Sequence, residues 1–229
     1  MREARKNVTR TLFPDATTRD LYLFEIDAWR RGLQFVAGVD EAGRGPLAGP
    51  VVAACVVMYQ GVPLLRVDDS KKLSAETREA LWIEILNHTR AVGIGTANVA
   101  EIEEWNILQA SLRAMGRAVL DLPLRPELVL VDGVHLIPGI ETQRALVRGD
   151  SRSGAIAAAS IVAKVTRDRM MLELHDRYPQ YNFASNKGYA TREHLEALSE
   201  YGPCPVHRKT FKGVREHIKP VIPPLFFGL

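Results

Sequence analysis

The chain alternates between two kinds of apolar pattern. Short, β-branched runs occur at Phe35–Val39, Val51–Met58 and Leu128–Val131, and each reads as a strand. Ala91–Val99 alternates apolar and small residues in the strand manner, and Gln143–Val147 is a further short strand. Between them lie helical spacings. Leu21, Leu23, Phe24, Ile26 and Trp29 predict a helix from about Thr18 that stops at Gly32. Ser74 caps a helix from Ala75 to about His88, with Leu81, Trp82 and Ile85 inward. Glu101–Leu120 is helical through Ile102, Leu108, Leu112, Met115 and Val119, and Glu101, Glu103 and Glu104 complement the dipole of its first turn. Ala155–Val165 is apolar or small nearly all round, which predicts a buried helix. Strands interleaved with helices define an α/β protein, with Leu128–Val131 as a buried parallel strand. From Tyr178 the chain turns aromatic and turn-rich before a last helix, Arg192–Tyr201.

Composition narrows the class without choosing a function. An apolar content of 46% and a charged content of 25% are those of an ordinary globular chain. No apolar stretch is long enough to span a bilayer, and no signal-peptide core follows the first residues, so no membrane association and a cytoplasmic location are expected. Two cysteines, Cys55 and Cys204, make neither a disulfide framework nor a zinc pattern. A net charge of +3 suits a polyanionic partner without demanding one.

Chemistry enters at the strand ends. Phe35–Val39 runs into Asp40 and Glu41, then into Gly43-Arg44-Gly45-Pro46. Leu128–Val131 runs into Asp132-Gly133, a second acid offered to the carboxyl edge of a sheet, where α/β sites collect. Adjacent carboxylates raise each other's pKa, and a divalent cation relieves the penalty. Gly43 to Ala48 also fits the G-x-G-x-x-G/A dinucleotide fingerprint, but that fingerprint needs a helix next and a valine-rich strand follows instead. Asp150 sits ahead of the buried helix, where it reads equally as a capping acid. Asp168 is the ambiguous acid: it either reaches the site or, as the favoured reading has it, pairs with Arg167 or Arg169. His135 reads as structural or exposed, and His194 as either a structural histidine or part of the family pattern named below. Lys71 and Lys72 lie on a loop that is either solvated or phosphate-facing. The basic tail (His207, Arg208, Lys209, Lys212, Arg215, Lys219) is either a phosphate-binding face or a solvated one, and the apolar end from Pro223 either packs back or meets a partner.

The run Gly38-Val39-Asp40-Glu41-Ala42-Gly43-Arg44-Gly45-Pro46-Leu47-Ala48-Gly49-Pro50-Val51 closely resembles the opening signature of ribonuclease HII, the bacterial type 2 ribonuclease H. Asp-Ser-Lys-Lys-Leu-Ser at Asp69–Ser74, Val-Asp-Gly at Val131–Gly133, Ala157–Asp168 and Lys187-Gly188-Tyr189 extend the resemblance from about Phe35 to Phe211. The resemblance implies a ribonuclease H-like mixed sheet flanked by helices, with a small C-terminal helical lobe. Residues 1–34 would be an extension with a short helix, 35–175 the catalytic core, and 176–229 the lobe and tail of the same domain. It implies that Asp40, Glu41, Asp132 and Asp150 hold two divalent ions, Mg²⁺ or Mn²⁺. Substrate contacts would fall to Gly43, Arg44, Gly45, Lys71, Lys187 and Tyr189. The implied partners are RNA–DNA hybrids and ribonucleotide-containing duplex DNA, cut on the 5′ side of a ribonucleotide by a monomer. A non-catalytic nucleic-acid binding module would fit the basic tail, the lysines and Tyr189, but it leaves four acids that would repel phosphate; a different metal-dependent nuclease or phosphotransferase on the same fold is the third reading.

Overall fold

A computed structural model describes residues 21–62 and 74–218. Lys71 and Lys72, the apolar C-terminal end and the first residues of the N-terminal helix lie outside that range. The described residues form two compact units, 21–44 with 50–62 and 74–170, and 45–49 with 171–218.

The first unit is built on one five-stranded sheet of order β3-β2-β1-β4-β5. Its strands are β1 (Val36–Ala42), β2 (Val51–Met58), β3 (Thr89–Ala97), β4 (Leu128–Asp132) and β5 (Gln143–Leu146). β2 runs antiparallel to β1 and β3, while β4 runs parallel to both β1 and β5, so the sheet is mixed, as the resemblance implies. All eight residues of β2 are buried. That is why its valines run on without alternation: a strand covered on both faces has no solvent side to mark.

The helices of this unit are α1 (Leu23–Arg30), α2 (Ala75–His88), α3 (Val99–Leu120) and α4 (Gly154–Arg177), whose last turns belong to the second unit. Ser74 caps α2 by accepting the Thr77 amide at 3.1 Å. β3 ends two residues earlier than its alternation suggests, because Asn98 leaves the strand to close a capping box with Glu101. α3 is interrupted at Asn106, which has φ 67°. There the Asn106 side-chain oxygen accepts the amides of Leu108 and Gln109 at 3.0 and 3.1 Å and restarts the helix as a second cap.

α4 lies directly on the sheet. A Cβ on Gly38 of β1 would come within 2.2 Å of the backbone of Ala155 and Ile156. The alanines of α4 and the bare backbone at Gly38 are therefore two halves of one contact, and residues 155–159 and 161–163 are essentially inaccessible. Among the described residues, no helix is long and apolar enough to cross a membrane.

The second unit packs Met171, Tyr181, Phe183, Leu198, Cys204 and Val214 around Leu47 and Ala48. It adds the short α5 (Phe183–Asn186) and α6 (Arg192–Tyr201). The segment 45–49 is tied in by backbone bonds from Leu47 N to Gly188 O at 2.8 Å and from Gly49 N to Val206 O at 2.9 Å. Arg208 is fully buried and donates to the Gly49 carbonyl from Nε and Nη2, at 3.0 and 2.8 Å.

Candidate active site

The acids are placed by strand register. β1 and β4 pair in parallel from Val36↔Leu128 to Val39↔Val131. The next residues along are Asp40 and Asp132, side by side on adjacent strands and on one face, at an interstrand spacing of about 4.8 Å. Asp40 remains within β1, opposite Ala54 of β2, so the first strand does not stop at its acid. Asp40 is buried, and burial pushes its carboxyl well above the usual range; repulsion from Glu41 and Asp132 pushes it further. Burial also raises Glu41; Asp132 adds to this, while an ion pair with Arg44 at 3.1 Å opposes it. Asp40 is steadied by the Glu41 amide at 2.7 Å and by a hydrogen bond with Ser160 of α4.

Asp150 arrives by a different route. It lies in the 3₁₀ turn Gly149–Ser151, and the amide of its neighbour Gly149 donates to Asp132 Oδ1 at 2.6 Å. The Ser153 hydroxyl caps α4 by accepting the Ile156 amide at 3.2 Å. Behind it stands Glu25 of α1, fully buried, whose Oε1 accepts the Ser153 hydroxyl at 2.6 Å and the Ala155 amide at 3.0 Å. Burial raises the Glu25 carboxyl to about 7. Glu25 thus anchors the turn that carries Asp150.

A cavity of about 230 Å³ opens beside these acids, lined by Glu41, Arg44, Asp132 and His135 and walled by Leu108, Ser111, Leu112 and Met115 of α3. His135 is exposed. Gly43 has φ +96°, and a Cβ there would meet the Arg167 side chain at 2.1 Å. Arg167 is buried and donates from Nε to the Pro50 carbonyl at 3.0 Å, so it braces the loop on both sides.

Two expectations are corrected. Asp168 pairs with Lys164 at 2.6 Å, one turn back along α4, rather than with Arg167 or Arg169. Arg169 pairs with Glu79 and lies over the Trp82 ring. His207 and Arg208 are buried and belong to no basic surface; Lys209, Lys212 and Arg215 are exposed.

In the second unit, Tyr189 is exposed, and its ring is 3.7 Å from where a Cβ on Gly45 would stand. Lys187 adopts a left-handed conformation after α5, and its ammonium donates to the Ala184 carbonyl at 2.7 Å.

Asp40, Glu41 and Asp132 are thus brought together, with Asp150 one residue from a backbone bond to Asp132. Among the described residues, no three His, Cys, Asp or Glu side chains converge on one point closely enough to hold an ion. That arrangement still suits Mg²⁺ or Mn²⁺: their hard-oxygen chemistry takes one or two carboxylates and completes its shell with water and phosphate. Ser160, Arg167 and Glu25 were not singled out by sequence reasoning. Ser160, Lys164 and Arg167 do recur at helical spacing on an otherwise apolar helix, which marks one polar stripe.

Comparison with known proteins places this arrangement. The family model for ribonuclease HII matches residues 37–214. The ribonuclease HII of Geobacter metallireducens is 56% identical over 209 residues, covering 91% of this chain and 98% of that one. The crystal structure of ribonuclease H2 from Pyrococcus horikoshii superposes with a TM-score of 0.67 at 28% identity, over 80% of this chain and 96% of that one. A ribonuclease HIII solved in complex with Mn²⁺ superposes with a TM-score of 0.65 over 88% of this chain and 71% of that one, at 16% identity, and so shares the fold. The fold is therefore that of the ribonuclease H class, a mixed sheet with flanking helices. Within that class the chain belongs to the ribonuclease HII family: it is a hydrolase of ribonuclease H activity, directed at RNA–DNA hybrids.

Proposed function

We propose that this enzyme cuts on the 5′ side of single ribonucleotides embedded in duplex DNA, as well as within the RNA strand of hybrids, leaving 5′-phosphate and 3′-hydroxyl ends. Asp40, Glu41, Asp132 and Asp150 are the catalytic and metal-holding residues in this reading. The observation that carries it is the pairing of Asp40 with Asp132 on adjacent parallel strands, with Glu41 adding to the repulsion. Two divalent ions, Mg²⁺ or Mn²⁺, would supply an activated water and neutralise charge on the leaving oxygen of an in-line displacement.

The chain's own residues supply placement. Ser160 and the Glu41 amide orient Asp40. The Gly149 amide orients Asp132, and Glu25 holds the turn bearing Asp150. Arg44 offsets the charge of Glu41 until substrate arrives. Gly43 and Gly45 present backbone without side chains, which lets a ribose approach closely. The 2′-hydroxyl is what separates a ribonucleotide from a deoxyribonucleotide, so these groups and Tyr189 are assigned to reading it. An exposed tyrosine ring also offers a stacking face to a sugar or base. Lys187 and Lys71 are assigned to backbone phosphates.

The test is a cut-site map. A duplex carrying one ribonucleotide and a long RNA–DNA hybrid are incubated with Mg²⁺ or with Mn²⁺, and the ends are sequenced. Cleavage of both, with the single-ribonucleotide cut on its 5′ side, supports the reading. Cleavage of the hybrid alone would restrict the enzyme to RNA strands and remove the proposed role of Tyr189.

A further inference from the structure

The second unit contains a buried polar chain that the reaction above does not use. His194 of α6 and His207 are both fully buried, and their Nε2 atoms face each other at 3.0 Å. The Tyr181 ring lies 4.6 Å from His207 and the Phe183 ring 5.5 Å from His194, centroid to centroid, so the pair sits in an aromatic cage.

The hydrogen-bond partners fix both tautomers. His207 Nδ1 accepts the backbone amide of Cys204 at 3.0 Å, with the Cys204 thiol 3.1 Å away, so that nitrogen carries no proton. A neutral His207 therefore carries its proton on Nε2 and donates it to His194 Nε2. His194, accepting there, carries its own proton on Nδ1, which donates to the Tyr189 carbonyl at 2.8 Å. Only this arrangement of two neutral rings satisfies every bond. Burial lowers the basicity of both imidazoles, that of His207 to about 4, which favours the neutral rings that the hydrogen bonds require.

The chain ends at a residue that matters. The Tyr189 carbonyl accepts two bonds, from His194 Nδ1 and from the Thr191 amide at 2.8 Å, while the Tyr189 amide donates to Asn186 O at 2.9 Å. Gly188, just before it, has φ +84° and holds Leu47 through its carbonyl. The Tyr189 side chain itself is exposed beside Gly45. A ring that must present one face to a substrate while standing in solvent can be aimed only through its backbone.

We propose that His194 and His207 are positioning residues for substrate recognition: a tautomer-locked imidazole pair that fixes the Tyr189 backbone and so aims its ring next to Gly45. The proposal rests on the assignment of Tyr189 to ribonucleotide recognition. It goes beyond it by naming what enforces the geometry.

The test combines a mutant cycle with a spectroscopic measurement. His194→Phe keeps the ring volume but removes the donor to Tyr189. It is expected to lower kcat/KM on a single-ribonucleotide duplex on the order of tenfold, the scale of one lost stacking contact. His194→Asn, which returns a donor at the δ position, should recover most of that loss. In a Tyr189→Ala background His194→Phe should cost nothing further. A His194→Phe loss that multiplies the Tyr189→Ala loss overturns the proposal, as does a variant with a lowered melting temperature but wild-type kcat/KM. If Tyr189→Ala itself leaves kcat/KM unchanged, the assignment of Tyr189 fails first and the proposal falls with it. The tautomers are read on the wild-type protein by ¹⁵N–¹H correlation at pH 6. A proton on His194 Nδ1 and on His207 Nε2 is expected; the opposite pair, or a charged ring, overturns the proposal even if no variant folds.

Discussion

Asp40 and Asp132 stand one residue beyond the last registered pair of β1 and β4, Val39↔Val131, on neighbouring parallel strands and on the same face. Parallel pairing makes this a consequence of register. Shifting β4 by one residue would turn Asp132 to the opposite face of the sheet. The four apolar pairs from Val36↔Leu128 onward therefore set the geometry of the acids as well as the core.

The first prediction concerns pH and metal together. The Asp40 carboxyl is held well above its usual range, by burial first and by Glu41 and Asp132 next. A raised acid pKa means that the fold loses stability as pH rises through that value and the group ionises. Asp40→Asn should therefore raise the melting temperature of the metal-free protein at pH 8. Metal favours the ionised carboxylate, so raising Mg²⁺ should move the acid limb of the kcat/KM profile to lower pH. An acid limb that ignores Mg²⁺ would separate Asp40 from any ion.

A second prediction concerns Gly38. A methyl at this position would lie 2.2 Å from the backbone of Ala155 and Ile156, and neither strand nor helix backbone can yield as a side-chain tip can. Gly38→Ala should cost about 1–3 kcal/mol or more in stability, measured by denaturant unfolding. Because α4 carries Ser160 and begins just after Asp150, activity should fall by more than the change in folded fraction accounts for.

The buried Glu25 gives a third. Its carboxyl is raised to about 7, above the usual value of 4.5, by burial. The folded state then binds more protons than the unfolded one between those values, so Glu25 lowers stability as pH rises from about 4.5 to 7. His207 acts oppositely. Lowered to about 4, it makes stability rise with pH from about 4 to its usual 6.5. Glu25→Gln removes the first of these slopes, so the variant should gain stability relative to wild type as pH rises through this range, by at most about 3 kcal/mol. A parallel pH dependence of the two proteins would show that Glu25 does not titrate there.

How much of this was legible beforehand depended on whether neighbours in sequence were also neighbours in space. The valine-rich run Val51–Met58 marked a strand, and Ser74 marked the start of a helix to the residue, because both signals are local. Asp40, Glu41 and Asp132 stood out because each ends an apolar run. Their register did not, since it depends on which strands pair. Glu25 sits between Phe24 and Ile26 and reads as the polar face of a short helix; only its bonds to Ser153 and Ala155, some 130 residues away, explain a carboxylate with no exposure. Arg208 and His207 read as part of a basic tail for the same reason. Nothing nearby in sequence reveals that the Gly49 carbonyl receives one and the His194 ring the other.

The most direct measurement is cleavage and binding by Asp132→Asn on a duplex with one embedded ribonucleotide, in Mg²⁺ and in Mn²⁺. The substitution keeps the size of the side chain and its oxygen toward the Gly149 amide while removing the charge shared with Asp40. The expected result is a loss of cleavage of roughly a thousandfold, about 4 kcal/mol of transition-state stabilisation, with the substrate still bound. Cleavage at the wild-type rate would contradict a site in which these two acids act together.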